Sequence, residues 1–90
     1  MKVMIRMFKG EPIALFPYEV TGQNTVLSYA HTGQHSDAVW DLHRFTKPCP
    51  EPLAQELIKE LRAIGYNSLN VIKRRNHAEY LSNFYKSLLK

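Results

Sequence analysis

Residues 47–52, KPCPEP, set three prolines within six positions. Each proline fixes its own φ and has no N–H to donate, and it steers the residue before it away from the helical region. No strand can continue through such a stretch, and a helix can only begin at its far end. The chain is therefore divided into a part that must finish its elements before residue 47 and a part that starts afresh after it.

The first part carries strand patterns. KVMIRMF (2–8) sets Val3, Ile5 and Met7 on one face against Lys2, Met4, Arg6 and Phe8 on the other. This alternation predicts a half-buried strand. KGEP (9–12) supplies a glycine able to take positive φ and a proline suited to a strand start. IALF (13–16) is apolar at every position, which predicts a strand covered on both sides, paired with the first as a hairpin. PYEVTGQN (17–24) reads as a loop with Gly22 and Asn24 as turn residues. TVLSYA (25–30) is a third strand by its β-branched and aromatic content. VWDLHRF (39–45) alternates again, with Trp40 and Leu42 opposed to Asp41 and His43; the lone Trp40 is read as a core anchor.

The second part carries helical spacing. In LAQELIKELRAIG (53–65), Leu53, Leu57, Leu61 and Ile64 form one apolar stripe with Ile58 beside it, and Gly65 stands where helices commonly end. LNVIKR (69–74) reads as a last short strand. NHAEYLSNFYKSLLK (76–90) opens on Asn76 as N-cap, with Glu79 three residues on. The expected fold is α+β, an antiparallel sheet of four to five strands with two helices in the order ββββαβα. Ninety residues make this one domain, 1–90, without repeat or linker.

Composition bounds the setting. An apolar fraction of 44% and a charged fraction of 22% are those of a soluble globule. No apolar run approaches the roughly 20 residues of a membrane span, so no membrane partner is expected. The single cysteine, Cys49, has no internal disulfide partner, whereas small secreted domains usually carry several bridges; a cytoplasmic protein is expected. The net charge of +4 has a definite origin. Residues 69–90 hold Lys73, Arg74, Arg75, Lys86 and Lys90 against Glu79, while the charges of residues 1–45 cancel.

Three stretches are candidates for function. SYAHTGQHSDA (28–38) places His31 and His35 four apart with Gly33 between them. A helical metal clip fails because Gly33 and Thr32 interrupt and no Glu follows. In one extended strand the two histidines would stand about 13 Å apart. A turn through residues 32–34 would oppose them across a hairpin mouth, with Asp37, His43 or Cys49 as a third metal ligand. His35 and Asp37 could make a base and its orienting group, but Ser28, Thr32 and Ser36 sit in no nucleophile elbow. The turn reading prevails: Gly33 permits the bend and Gln34, His35 and Ser36 satisfy backbone groups. A polar turn with His31, Gln34 and His35 is also a contact surface for a protein partner. No catalytic residue and no cofactor are expected.

In VIKRRNH (71–77), Lys73, Arg74 and Arg75 leave a strand just before a helix N-terminus, a pattern suited to weak nucleic-acid binding, with Tyr66, Tyr80 and Tyr85 available for stacking if exposed. No zinc-finger, RNP or KH motif accompanies it. In the last helix, Leu81, Phe84, Tyr85 and Leu88 lie along one side. Core packing explains that stripe most simply. If the first helix already covers the sheet, the stripe is instead a surface for a partner or for self-association.

Three blocks, IRMFKGEPIALFP (5–17), LSYAHTGQHSDA (27–38) and ELRAIGYNSLNVIKRR (60–75), resemble a family of small bacterial and phage proteins with no established activity. The resemblance implies a phage or mobile-element context and offers no catalytic residues to carry over. It also implies threonine before the helix-starting proline, where this chain has Cys49. Loss of an N-cap hydroxyl there would cost about 1 kcal/mol and leaves Cys49 incidental. The reading as a whole is a non-enzymatic interaction protein of the bacterial or phage cytoplasm.

Overall fold

The computed structural model describes residues 1–30 and 33–89. Its strands are β1 (Lys2–Phe8), β2 (Glu11–Gly22), β3 (Thr25–Ala30), β4 (Gln34–Val39), β5 (Lys47–Pro48) and β6 (Asn70–Val71). The helices are α1 (Glu51–Ala63) and α2 (His77–Leu88), and a 3₁₀ turn spans Leu42–Phe45. The sheet order is β4-β3-β2-β1-β5, antiparallel throughout, with β6 lying parallel to the start of β1. The expected α+β class is present; the proline-rich stretch is not free of strand, since its first two residues are β5, paired with Met7 and Arg6 of β1, and α1 begins at Glu51.

Successive residues of each central strand enter opposite apolar clusters. Val3, Ile5, Ala14, Phe16 and Tyr29 meet Ala54, Leu57, Ile58 and Leu61 of α1 on one face. Met4, Leu15, Val26 and Ala38 meet Tyr80 of α2 on the other, with Leu81, Phe84 and Trp40 packed around them. The sheet is thus enclosed between two helices. α1 buries Ala54 in place of Leu53 and Ile64, which lie at the ends of its stripe and stay largely exposed.

The first hairpin turns in two residues. Phe8 pairs with Glu11, and both Lys9 (φ +53) and Gly10 (φ +82) are left-handed, the backbone that matches strand twist in a two-residue loop. Lysine is a poor residue for that conformation and asparagine a favoured one. Lys9→Asn is expected to raise stability by about 0.5–1 kcal/mol in urea unfolding.

Four local expectations differ from the structure. The other face of β1 is not open to solvent: Met4 is buried under α2. Residues 17–22 are strand and not loop, because the register with β3 shifts between Phe16 and Val20 and Pro17 falls in that irregular stretch, where no ladder donor is needed. Tyr18, in the same stretch, reaches α2: its hydroxyl accepts from Asn76 N–H at 2.6 Å and its carbonyl from Asn83 Nδ2 at 3.2 Å. Residues 40–45 form a turn and a 3₁₀ segment instead of a strand, held by the side chains of Arg75 and Arg6. Finally, the N-cap of α1 is Pro50, so Cys49 lies outside the cap; it packs against the first cluster and burial raises its thiol pKa. Asn76 caps α2 as expected, its Oδ1 accepting from Glu79 N–H at 3.1 Å.

Candidate functional site

Of the histidine segment, His31 and Thr32 lie outside the described residues, and with them the metal reading of His31 with His35. Among the described residues no group of His, Cys, Asp and Glu gathers as metal ligands. Gln34, His35, Ser36 and Asp37 are not a turn tip but most of β4, the last strand of the sheet. Gly33 (φ +88) makes the bend and donates to Ala30 C=O at 2.9 Å.

The ladder fixes which backbone groups of β4 point outward. Ser36 pairs with Ser28, and at the two ends of the ladder Gly33 donates to Ala30 and Trp40 to Asn24. Antiparallel pairs alternate between bonded and non-bonded positions. Gln34, Ser36 and Ala38 therefore bond inward to β3, and His35, Asp37 and Val39 direct N–H and C=O away from the sheet. All three are exposed.

The side chains of the same strand are anchored from one face. His35 Nε2 is 2.8 Å from the Tyr66 hydroxyl, and its ring meets Tyr29 edge-on at 4.9 Å. Tyr66 stacks on Phe16 at 5.2 Å. Tyr29 donates to Glu60 Oε1 at 2.9 Å; burial first, then Glu60, raises its pKa. On the opposite face Ser28 Oγ donates to Ser36 C=O at 3.0 Å. Asp37 is exposed and enters no ion pair among the described residues, the one such pair being Lys2–Glu79 at 3.0 Å. The edge is thus rigidly presented, short and polar. Hydrophobic pattern does not reveal it as a strand because four of its six side chains are polar, which an edge position tolerates.

The basic segment divides. Lys73 and Arg74 are exposed. The Arg75 guanidinium lies over Trp40 at 4.3 Å and Tyr80 at 5.0 Å, donates to Trp40 C=O at 3.2 Å and faces His77 Nδ1 at 3.1 Å. That residue is a packing clamp more than a free cation. The structure adds cations that sequence distance hides. Arg6 donates to Thr46 Oγ1 at 2.8 Å and to its carbonyl at 3.1 Å, and Thr46 Oγ1 donates to His43 C=O at 2.7 Å. Burial lowers the pKa of His43, and the charges of Arg75, Arg44 and Arg6 lower it further against the opposing Asp41. Exposed Arg44 and Lys47 complete a cationic side around the 3₁₀ turn.

The stripe of the last helix divides as well. Leu81 and Phe84 belong to the second core cluster, so they are not free for a partner. Tyr85 and Leu88 remain 60% and 61% exposed. For stacking on bases, Tyr80 is buried and Tyr66 is engaged with Phe16, which leaves Tyr85 alone.

Fold and surfaces together define a small α+β domain with both sheet faces occupied and, among the described residues, the six-residue strand β4 at one edge of the sheet. Comparison with family models, curated proteins and solved structures finds no match to this chain. No helix among the described residues is long and apolar enough to cross a membrane.

Proposed function

We propose that this is a non-enzymatic interaction protein that binds another protein chain by strand addition along β4. The observation that carries the reading is the outward row of N–H and C=O groups at His35, Asp37 and Val39 on a strand that nothing covers among the described residues. An open edge is an invitation to pairing that proteins normally blunt with lysine, proline or a bulge. Here β4 carries none of these, and Asp37 is its only acidic residue, with no lysine or arginine beside it. A cytoplasmic setting is part of the same proposal, on the ground that Cys49 has no second cysteine in the sequence to pair with.

A photo-cross-linking residue at Val39 tests this in cells. Adducts are expected at Val39, absent from the same residue placed at Arg62 on the exposed side of α1, and abolished when Asp37→Pro is added. Proline at 37 removes an outward donor without cutting the inward ladder. Equal adducts from both positions would defeat the reading.

A second reading, weak nucleic-acid binding, is favoured by exposed Arg44 and Lys47 beside and in β5 and exposed Lys73 and Arg74 just after β6, both strands pairing with β1. Arg44→Ser with Lys73→Ser and Arg74→Ser is expected to weaken binding to a duplex oligonucleotide. Its salt dependence should flatten by about one unit of slope for each phosphate no longer neutralised. Arg75 is left in place because its loss would disturb Trp40 and Tyr80. Absence of binding by the unaltered protein at low salt would exclude this reading.

A further inference from the structure

We infer that the strand added to β4 is β4 of a second copy, antiparallel, with Ser36 on the two-fold axis. This inference rests on the strand-addition reading above and names its partner.

A self-paired edge must satisfy two conditions. Residues opposite one another must share a sheet face, and the outward-pointing residues must meet each other. Both require pairs whose numbers have an even sum. The register about Ser36 meets this condition, setting His35 opposite Asp37 of the other copy twice over, with about four backbone hydrogen bonds between the outward groups. A register one step further would set Asp37 against Asp37, which like-charge repulsion disfavours. A register one step back would set His35 against His35 and leave both aspartates without a partner.

Side-chain size agrees with the Ser36 register. It sets Val39 against Gly33, Gln34 against Ala38, and serine against serine, so each bulky or long group meets a small one. Polar pairing agrees too. Asp37, an exposed carboxylate in no ion pair among the described residues, meets His35, whose Nε2 is 2.8 Å from the Tyr66 hydroxyl and whose other ring nitrogen is a further hydrogen-bonding group. A two-fold pair of this kind is the commonest form of homo-oligomer.

Light scattering on the untagged full chain after size exclusion reads the outcome. At about 100 µM, above the micromolar dissociation constants of small interfaces, the expected mass is twice that of the 10.5 kDa chain. Asp37→Pro and Asp37→Lys should each halve the mass while circular dichroism and thermal midpoint stay close to the parent's. His35→Glu combined with Asp37→Lys should restore the doubled mass, since opposite charges then face each other and glutamate can accept from Tyr66. A doubled mass that survives Asp37→Pro would overturn the proposal and point to Tyr85 and Leu88. A single-chain mass for the unaltered protein would overturn it as well. Adducts to a different protein at Val39 would then leave the strand-addition reading standing, and no adducts would remove both.

Discussion

Tyr80→Ala is expected to lower unfolding free energy by about 3–5 kcal/mol, the usual range for deleting a buried aromatic side chain. Tyr80 is 4% exposed and sits at the centre of the α2 face. Its ring stacks on Trp40 at 5.4 Å and on Phe84 at 6.3 Å, and it forms one wall for the Arg75 guanidinium. Total stability for a chain of this length is about 5–13 kcal/mol, so one substitution removes a large share of it. The urea midpoint should fall by about 2 M. Tyr80→Phe keeps the ring and should cost under about 1 kcal/mol, and Leu88→Ala on the exposed side under about 0.5 kcal/mol. If Tyr80→Ala proved as mild as Leu88→Ala, α2 would not be part of the core.

Phe16→Ala is the matching experiment on the other face. Phe16 is fully buried in the central strand β2, and the loss should again be about 3–5 kcal/mol. It has a second consequence beyond the lost packing. Tyr66 stacks on Phe16 and bonds His35, so the substitution loosens the support of β4. Hydrogen exchange at Ser36 and Ala38, whose N–H groups bond inward to β3, should accelerate more than at Leu15, which pairs with Met4 and lies in the other cluster. Equal acceleration at both sites would show that Tyr66 does not brace the edge.

The elements that the residues announce most clearly are those with local causes. The α1 stripe, the Asn76 cap and the Lys9-Gly10 turn each depend on neighbours within a few positions. The elements that local pattern misplaces depend on partners far along the chain. Residues 40–45 alternate like a strand, but Arg75 holds Trp40 at their start and Arg6 holds Thr46 just past their end, from 35 and 40 positions away. Pro17 and Gly22 resemble loop residues because a proline ends a ladder. In place, the register shift absorbs the proline and lets β2 continue. Met4 resembles a solvent-facing residue because its strand mates Lys2 and Arg6 are charged. Lys2 reaches Glu79 and Arg6 reaches Thr46, so both leave room for α2 over Met4.

The candidate surfaces show the same division. His35 and the basic segment are visible as residue types, but their settings are not. Nothing local says that Gln34–Val39 extends into the outermost strand, or that Arg75 is withdrawn between two aromatic rings while Arg6 and Arg44 gather near it. Only half of the C-terminal stripe is available to a partner, because a helix with apolar groups on one side buries its centre and leaves its flanks.

Under the proposed strand addition the contact is the rim of a slab roofed above and below, about 20 Å long over the six residues of β4. Such a footprint favours attachment that is brief and governed by main-chain geometry, with identity read through three alternating side chains. Lengthening or shortening that rim by two residues would therefore retune residence time without touching the interior.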